Sequence, residues 1–303
     1  MSRRLALFNL LAKALFKPLL RHQKSIARAR FGFLWTTRLL TRLPAHTAII
    51  QDAVLPGEWV WSGKVRHRGV ILYLHGGGYI MGSPQTHRAM VARLSRLSGL
   101  RAFVPDYRLA PEHPFPAALQ DARVAWDRLL ALGYRPGEIV IGGDSAGGGL
   151  ALALLAQICQ AGHPPRALFA FSPWTDLTLS GGSMTENAEA DVLFPAYRAE
   201  ELRDMIVPSE KAADPAMSPL FAKFPSCPSV FIQCSQSEIL RDDSLRMGKR
   251  LRGFGAEMTL HCLPGRPHVW QLFDRLLPEA RQALRETAAF IVATLPAPRS
   301  SDS

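Results

Sequence analysis

The chain has 303 residues, of which 48% are hydrophobic, and a mean hydropathy of +0.03. That is enough to bury one large core, and it excludes a disordered or membrane-spanning chain. The formal net charge of +11 is concentrated: residues 1–51 carry ten Lys/Arg and no acid, leaving 26 bases against 25 acids over the rest. With no aromatic-interleaved basic patch beside it, this charge argues against nucleic-acid binding.

Residues 3–30 have the pattern of an amphipathic helix, or of two helices broken near Pro18. Lys13, Lys17 and Arg21 recur at four-residue intervals on one face, and Leu7, Leu11 and Leu15 line another. The plain expectation is a surface helix packed on the core with a solvated basic face. The sharper one is a lid whose basic face touches anionic lipid or an acidic partner. The opening Met1-Ser2-Arg3-Arg4 and the stretch from Leu5 to Phe16 imitate a signal peptide, but Lys13 and Lys17 interrupt it and no small-residue cleavage site follows. An Arg-rich, acid-free start also fits an organellar transit peptide. No apolar run reaches the ~18 residues that span a bilayer.

From about Ile49, short apolar runs alternate with helical patterns. Strands are expected at 70–74, 102–104, 139–141, 167–171, 229–234 and 258–262. Helices are expected at 85–97, 116–132, 150–158, 243–253 and 278–295. Such alternation implies a mostly parallel sheet covered by helices on both faces. Residues 178–216 lack a strand pattern, and a connection that long is usually a lid or binding loop. The four cysteines, Cys159, Cys227, Cys234 and Cys262, have neither C-x-x-C nor Cys/His ligand spacing. They are expected to be reduced, buried thiols of a cytoplasmic protein, with no metal.

The chemistry centres on Gly142-Gly143-Asp144-Ser145-Ala146-Gly147-Gly148-Gly149, after the apolar run Ile139-Val140-Ile141 and before an alanine-rich helix. This is the G-x-S-x-G pattern in a strand–turn–helix context, which exposes a serine hydroxyl at a helix N-terminus. Alone, a Gly-rich turn there could instead cradle phosphate. A nucleophilic serine also needs a base, an orienting acid and an oxyanion hole. His268, in the Gly/Pro-rich loop Gly265-Arg266-Pro267-His268, is the base candidate, with His261 and His113 read as structural. Glu238 is the acid candidate, just beyond the 229–234 strand; Asp242 is the alternative, although it and Asp243 also fit the first turn of a helix. His75-Gly76-Gly77-Gly78 follows the 70–74 strand and offers backbone N–H groups to a substrate oxygen.

His75-Gly76-Gly77-Gly78-Tyr79 and Gly143-Asp144-Ser145-Ala146-Gly147 together resemble the hormone-sensitive-lipase-like family of α/β-hydrolases, the bacterial carboxylesterases especially. So do Asp106-Tyr107-Arg108-Leu109-Ala110-Pro111-Glu112, the following Pro114 to Ala118, and Ser172-Pro173-Trp174-Thr175-Asp176-Leu177. The resemblance covers about residues 45–295. It implies an α/β-hydrolase fold with a mostly parallel eight-stranded sheet and a helical cap. The cap would be built from a basic helical segment, residues 1–45, and an insertion at about 185–213 within a catalytic domain of residues 46–303. It further implies that the N–H groups of Gly77, Gly78 and Ala146 form the oxyanion hole and that Glu238 holds the acid position. Cys234-Ser235 departs from the Val-Gly expected before that loop. Asp144, Asp106, Arg108 and Glu112 are expected to brace the loops behind the serine.

The expected activity is serine-dependent hydrolysis of small-molecule short- to medium-chain esters without a cofactor, with Tyr79, Trp270 and Phe273 expected to line the pocket. Lactones and N-acyl amides suit the same machinery. A non-catalytic ligand receptor on this fold would require a disabled Ser145 or His268.

Overall fold

A computed structural model describes residues 2–295; Met1 and residues 296–303, the tail of the expected catalytic domain, lie outside the described residues. Eight strands form one sheet in the order β1-β2-β4-β3-β5-β6-β7-β8. They are β1 (Thr47–Gln51), β2 (Gly57–Ser62), β3 (Val70–Leu74), β4 (Arg101–Pro105), β5 (Ile139–Asp144), β6 (Ala167–Phe171), β7 (Ser229–Ser235) and β8 (Met258–Leu263). The first two are antiparallel to their neighbours, and β4 to β8 run parallel through the sheet. The hairpin β1–β2 is the part of the sheet that no apolar run located in advance. Trp59 and Trp61 in β2 alternate with Glu58 and Val60, a mixed pattern that suits an edge hairpin rather than a buried parallel strand.

The parallel strands are buried on both faces. In β3, Val70, Leu72 and Leu74 join the core beneath the helices α5 (Ala117–Ala131), α6 (Ser145–Gln160) and α9 (Arg241–Gly253). The intervening Ile71 and Tyr73 join the opposite core, beneath α4 (Pro84–Ser98) and α10 (Pro278–Thr294). This two-residue alternation is the strand pleat itself, and it explains why the sequence reads as continuous apolar runs.

Register places the chemistry. Leu74 pairs with Gly143, so the loop after β3 lies against the turn after β5. Cys234 pairs with Cys262, so the loops after β7 and β8 emerge side by side. All four loops leave the carboxyl ends of parallel strands, where open α/β sheets present their sites.

The N-terminal segment forms α1 (Arg3–Leu11), a π turn (Ala12–Phe16), α2 (Lys17–His22) and α3 (Ile26–Leu40). The break expected near Pro18 lies instead at 23–25. Lys17 N–H reaches back five residues to the Ala12 carbonyl, a widened turn just before the proline ring that lets the helix pass it. The chain then turns at Gln23, and the Ser25 side chain caps α3. Between β6 and β7, residues 172–228 hold α7 (Ser183–Glu186), α8 (Ala199–Ile206) and short 3-10 turns, with no strand among the described residues.

Candidate active site

Ser145 stands at the junction of β5 and α6 with φ 53°, a left-handed conformation that non-glycine residues rarely adopt. The turn is possible only because its neighbours lack side chains. A Cβ on Gly147 would lie 2.2 Å from the Leu74 and His75 carbonyl oxygens, and one on Gly143 would lie 2.3 Å from the Gly147 carbonyl. The geometry aims the Ser145 hydroxyl over the sheet's edge, where His268 Nε2 lies 2.9 Å from Oγ. On the far side of the ring, His268 Nδ1 lies 2.7 Å from Glu238 Oε2. The other Glu238 oxygen accepts from Ser235 N–H at 2.9 Å, which fixes the carboxylate's orientation. The structure thus brings Ser145, His268 and Glu238 into one relay.

Asp242 does not join it. Its Oδ2 accepts from Ser183 N–H at 2.9 Å, and Arg241 pairs with its other oxygen at 2.8 Å. Asp243 accepts from the Thr175 and Asp176 N–H groups at 2.7 and 2.9 Å. Both carboxylates sit in the first turn of α9, but they tie that helix to the 172–186 segment.

The acid loop is pinned from several sides. Asn187 Nδ2 donates to the Gln236 and Glu238 carbonyls, and Ile239 N–H donates to Asp191 Oδ2 at 3.0 Å. Ser235, in place of the expected glycine, donates its hydroxyl to the Arg266 carbonyl at 2.6 Å. That bond joins the acid's loop to the base's loop, so the departure from the family pattern adds a strut.

Burial alone would push His268 below the ordinary histidine value. The hydrogen bond and charge of Glu238, with Asp191 and Asp144 nearby, more than offset it and hold the imidazole above 6.5. A protonated imidazole cannot accept the serine proton, so activity should fall as pH drops through that raised value. The acid limb of the kcat/KM profile is expected above 6.5 and should move down in Glu238→Gln. A limb at the ordinary value in both enzymes would contradict the geometry.

The loop after β3 wraps Ser145. Ala146 is the second residue of α6, so its N–H has no intrahelical acceptor. Gly77 and Gly78 both have positive φ, and among the described residues their N–H groups find no hydrogen-bond acceptor. Three amides are therefore free to face an oxygen beside Ser145. Beneath them, Asp144 Oδ1 accepts from Tyr73 Oη at 2.7 Å and from Gly76 N–H at 3.0 Å. Burial would raise this carboxyl, but His87, the Tyr73 hydroxyl and His75 hold it below the usual carboxylate range. Burial, with His87 beside it, pushes His75 down to about 3, so that ring is neutral.

Of the other expected braces, Arg108 clamps Asp121, and Glu112 receives Arg30 at 2.7 Å. The same Arg30 donates to the Ile80 and Ala110 carbonyls, which ties α3 to the glycine loop. Asp106 makes no side-chain hydrogen bond among the described residues, and burial raises its carboxyl.

Ser145 and His268 open onto an apolar cleft of about 990 Å³, part of it open to solvent. Its walls include Leu20 and Ile26 from the N-terminal helices and Trp174, Phe194, Leu202 and Met205 from the 172–228 segment. The Phe194 ring stands edge-on to His268 at 4.9 Å. The pocket residues expected from the sequence are elsewhere. Val269, at φ 47°, turns the chain inward directly after His268. Trp270 is consequently fully buried against Leu5 and Leu277, and Phe273 meets Phe8 at 4.6 Å. Tyr79 is buried, with its ring directed at Trp174.

The family described as alpha/beta hydrolase fold matches residues 71–272, two thirds of the chain. The chain belongs to it. An acetyl-hydrolase of Streptomyces hygroscopicus is 35% identical over 235 residues, 77% of this chain and 78% of that one. Esterase LipU of Mycobacterium tuberculosis is 34% identical over 265 residues, 84% of this chain and 86% of its own. A crystal structure of an esterase from the bacterial hormone-sensitive lipase family superposes with TM-score 0.91 at 34% identity, covering 98% of this chain and 99% of that one. The protein is thus an esterase of the hormone-sensitive-lipase branch of the α/β-hydrolases, as its motifs implied. Among the described residues no cluster of His, Cys, Asp or Glu could hold a metal ion. The four cysteines are free thiols, with Cys159 and Cys234 buried and Cys227 and Cys262 partly so.

Proposed function

We propose that this esterase hydrolyses short- to medium-chain acyl esters through an acyl-enzyme formed on Ser145. The Ser145 hydroxyl attacks the ester carbonyl while His268 Nε2 takes its proton, and Glu238 holds Nδ1–H and stabilises the imidazolium. The Gly77, Gly78 and Ala146 amides receive the tetrahedral oxyanion. His268 then gives its proton to the leaving alkoxide, and water, deprotonated by the same ring, releases the acid. The observation that carries this reading is the Ser145–His268–Glu238 relay opening onto an apolar cleft.

In this reading residues 1–45 and the insertion at about 185–213 act as the cap, since Leu20, Ile26, Leu202 and Met205 from those segments wall the cleft. A cytoplasmic setting is supported by four cysteines that stand as free thiols. No described helix is long and apolar enough to cross a membrane, and contact with lipid belongs to the surface of the cap.

A series of p-nitrophenyl esters from acetate upward tests the substrate range. Turnover should peak between short and medium chains. Met205→Trp, which fills the wall, should cut kcat/KM for the hexanoate ester by about ten-fold or more while sparing acetate. Equal loss on every chain length would remove the cleft wall from the acyl site.

A further inference from the structure

The N-terminal helices present an apolar surface that the described residues leave uncovered. Among the described residues, nine of the sixteen exposed large hydrophobics lie between Leu7 and Leu43. Leu7, Leu11, Leu15 and Leu19 follow one another at four-residue intervals through α1, the π turn and α2, and are 46–62% exposed. Phe31, Trp35 and Leu39 repeat that spacing on α3 and are 53–74% exposed. Other positions already face inward: Leu5, Phe8 and Ala12 join a core cluster, and Thr37 of α3 is buried. Scattered exposed leucines need no explanation, but two regular stripes on adjacent segments do.

Charge identifies the occupant. The basic row expected to face a partner is already engaged. Lys13 donates to the Glu189 carbonyl, Lys17 to the Ala188 and Asp191 carbonyls, and Arg21 lies over the Tyr197 ring. Arg3, Arg4, Lys24, Arg28, Arg38 and Arg42 remain exposed beside the leucine stripes, with no acid in the first 51 residues to balance them. At the end of α3, a surface pocket is lined by Arg42, Arg93, Arg96 and Arg275 next to Leu43. Only Arg93 of the four has a carboxylate partner among the described residues, the buried Asp274 at 2.9 Å.

We infer that these helices dock the enzyme onto an anionic lipid bilayer, with the leucine and aromatic stripes in the acyl boundary and the arginine pocket holding lipid phosphate. A second copy of the chain fits poorly, because a two-fold contact would bring this acid-free patch against itself. Leucine and aromatic residues on one side with arginine and lysine flanking them is the composition of interfacial helices. The same helices contribute Leu20 and Ile26 to the cleft wall, so docking would set the cleft beside the membrane.

Flotation of the full chain with phosphatidylcholine vesicles, with and without about a third phosphatidylglycerol, tests this. The wild type should float with the anionic vesicles, and less so as salt rises. Leu11→Glu/Leu15→Glu and Trp35→Glu/Leu39→Glu should each lower binding roughly ten-fold or more. Arg42→Gln/Arg96→Gln should remove the preference for the anionic lipid. Thermal melting reports folding independently of catalysis, so a failed esterase assay would not count against docking.

Binding unchanged in the leucine variants overturns the inference. So does a result in which Arg42→Gln/Arg96→Gln abolishes binding of inorganic phosphate but leaves flotation with anionic vesicles unchanged, which would make the pocket a free-phosphate site. A wild-type dimer that ignores vesicles and dissociates in Leu11→Glu/Leu15→Glu would assign the face to a second copy.

Discussion

Replacing Ser145 with alanine is expected to lower kcat for p-nitrophenyl butyrate by about 10⁵–10⁶-fold. Alanine keeps the Cβ that the elbow already accommodates, so the φ of 53° and the fold should persist. What disappears is the hydroxyl oxygen proposed to carry the acyl group, with the hydrogen bond it makes with His268 Nε2 at 2.9 Å. Loss of that one bond should change stability by no more than about 1 kcal/mol. Adding His268→Ala to the serine variant should cost little more, because residues that act as a unit are not additive. Activity within about a hundred-fold of wild type in Ser145→Ala would mean that another group performs the attack.

The second large effect separates two carboxylates four residues apart. Glu238→Ala is expected to lower kcat by about 10³–10⁴-fold, since the imidazole loses its tautomer lock and the charge that stabilises imidazolium. KM should hardly move, because Glu238 does not line the cleft. Asp242→Ala should cost at most about ten-fold in kcat and about 1–2 kcal/mol of stability, through the lost Ser183 and Arg241 contacts. Steady-state kinetics and thermal melts of the two variants, read together, check this. A larger kinetic loss in Asp242→Ala would reverse the assignment of the acid.

These roles were legible from the chain to the degree that they depend on local grammar. A strand ending in Gly143-Asp144-Ser145-Ala146-Gly147 leaves one way to turn, and Gly147 shows why: any side chain there would strike the Leu74 and His75 carbonyls. Glu238 and His268 could be nominated because each follows a recognisable buried strand. What local grammar cannot supply is the direction of the chain after the motif. Trp270 and Phe273 follow His268 closely, yet one left-handed residue, Val269, sends them into the core instead of the cleft. The actual walls, Phe194, Leu202 and Met205, come from a segment that reads as a lid by its length and its lack of a strand pattern, which reveals nothing about which faces turn inward.

The N-terminal segment shows the same limit. Its amphipathic period was visible, but period alone does not say which face meets the protein. Lys13 and Lys17 found carbonyl partners in the insertion, and the leucines were left outside. Pro18, which should have broken the helix, was accommodated by a five-residue hydrogen bond in the preceding turn.

The central claim is that Ser145 is an activated nucleophile, and covalent labelling tests it most directly. A fluorophosphonate should modify the enzyme once per chain, on the peptide containing Ser145, and peptide mass spectrometry would locate the adduct. Labelling should vanish in Ser145→Ala and slow sharply in Glu238→Ala. An unlabelled wild-type enzyme, as expected of a ligand receptor, or an adduct on any other residue, would contradict the account.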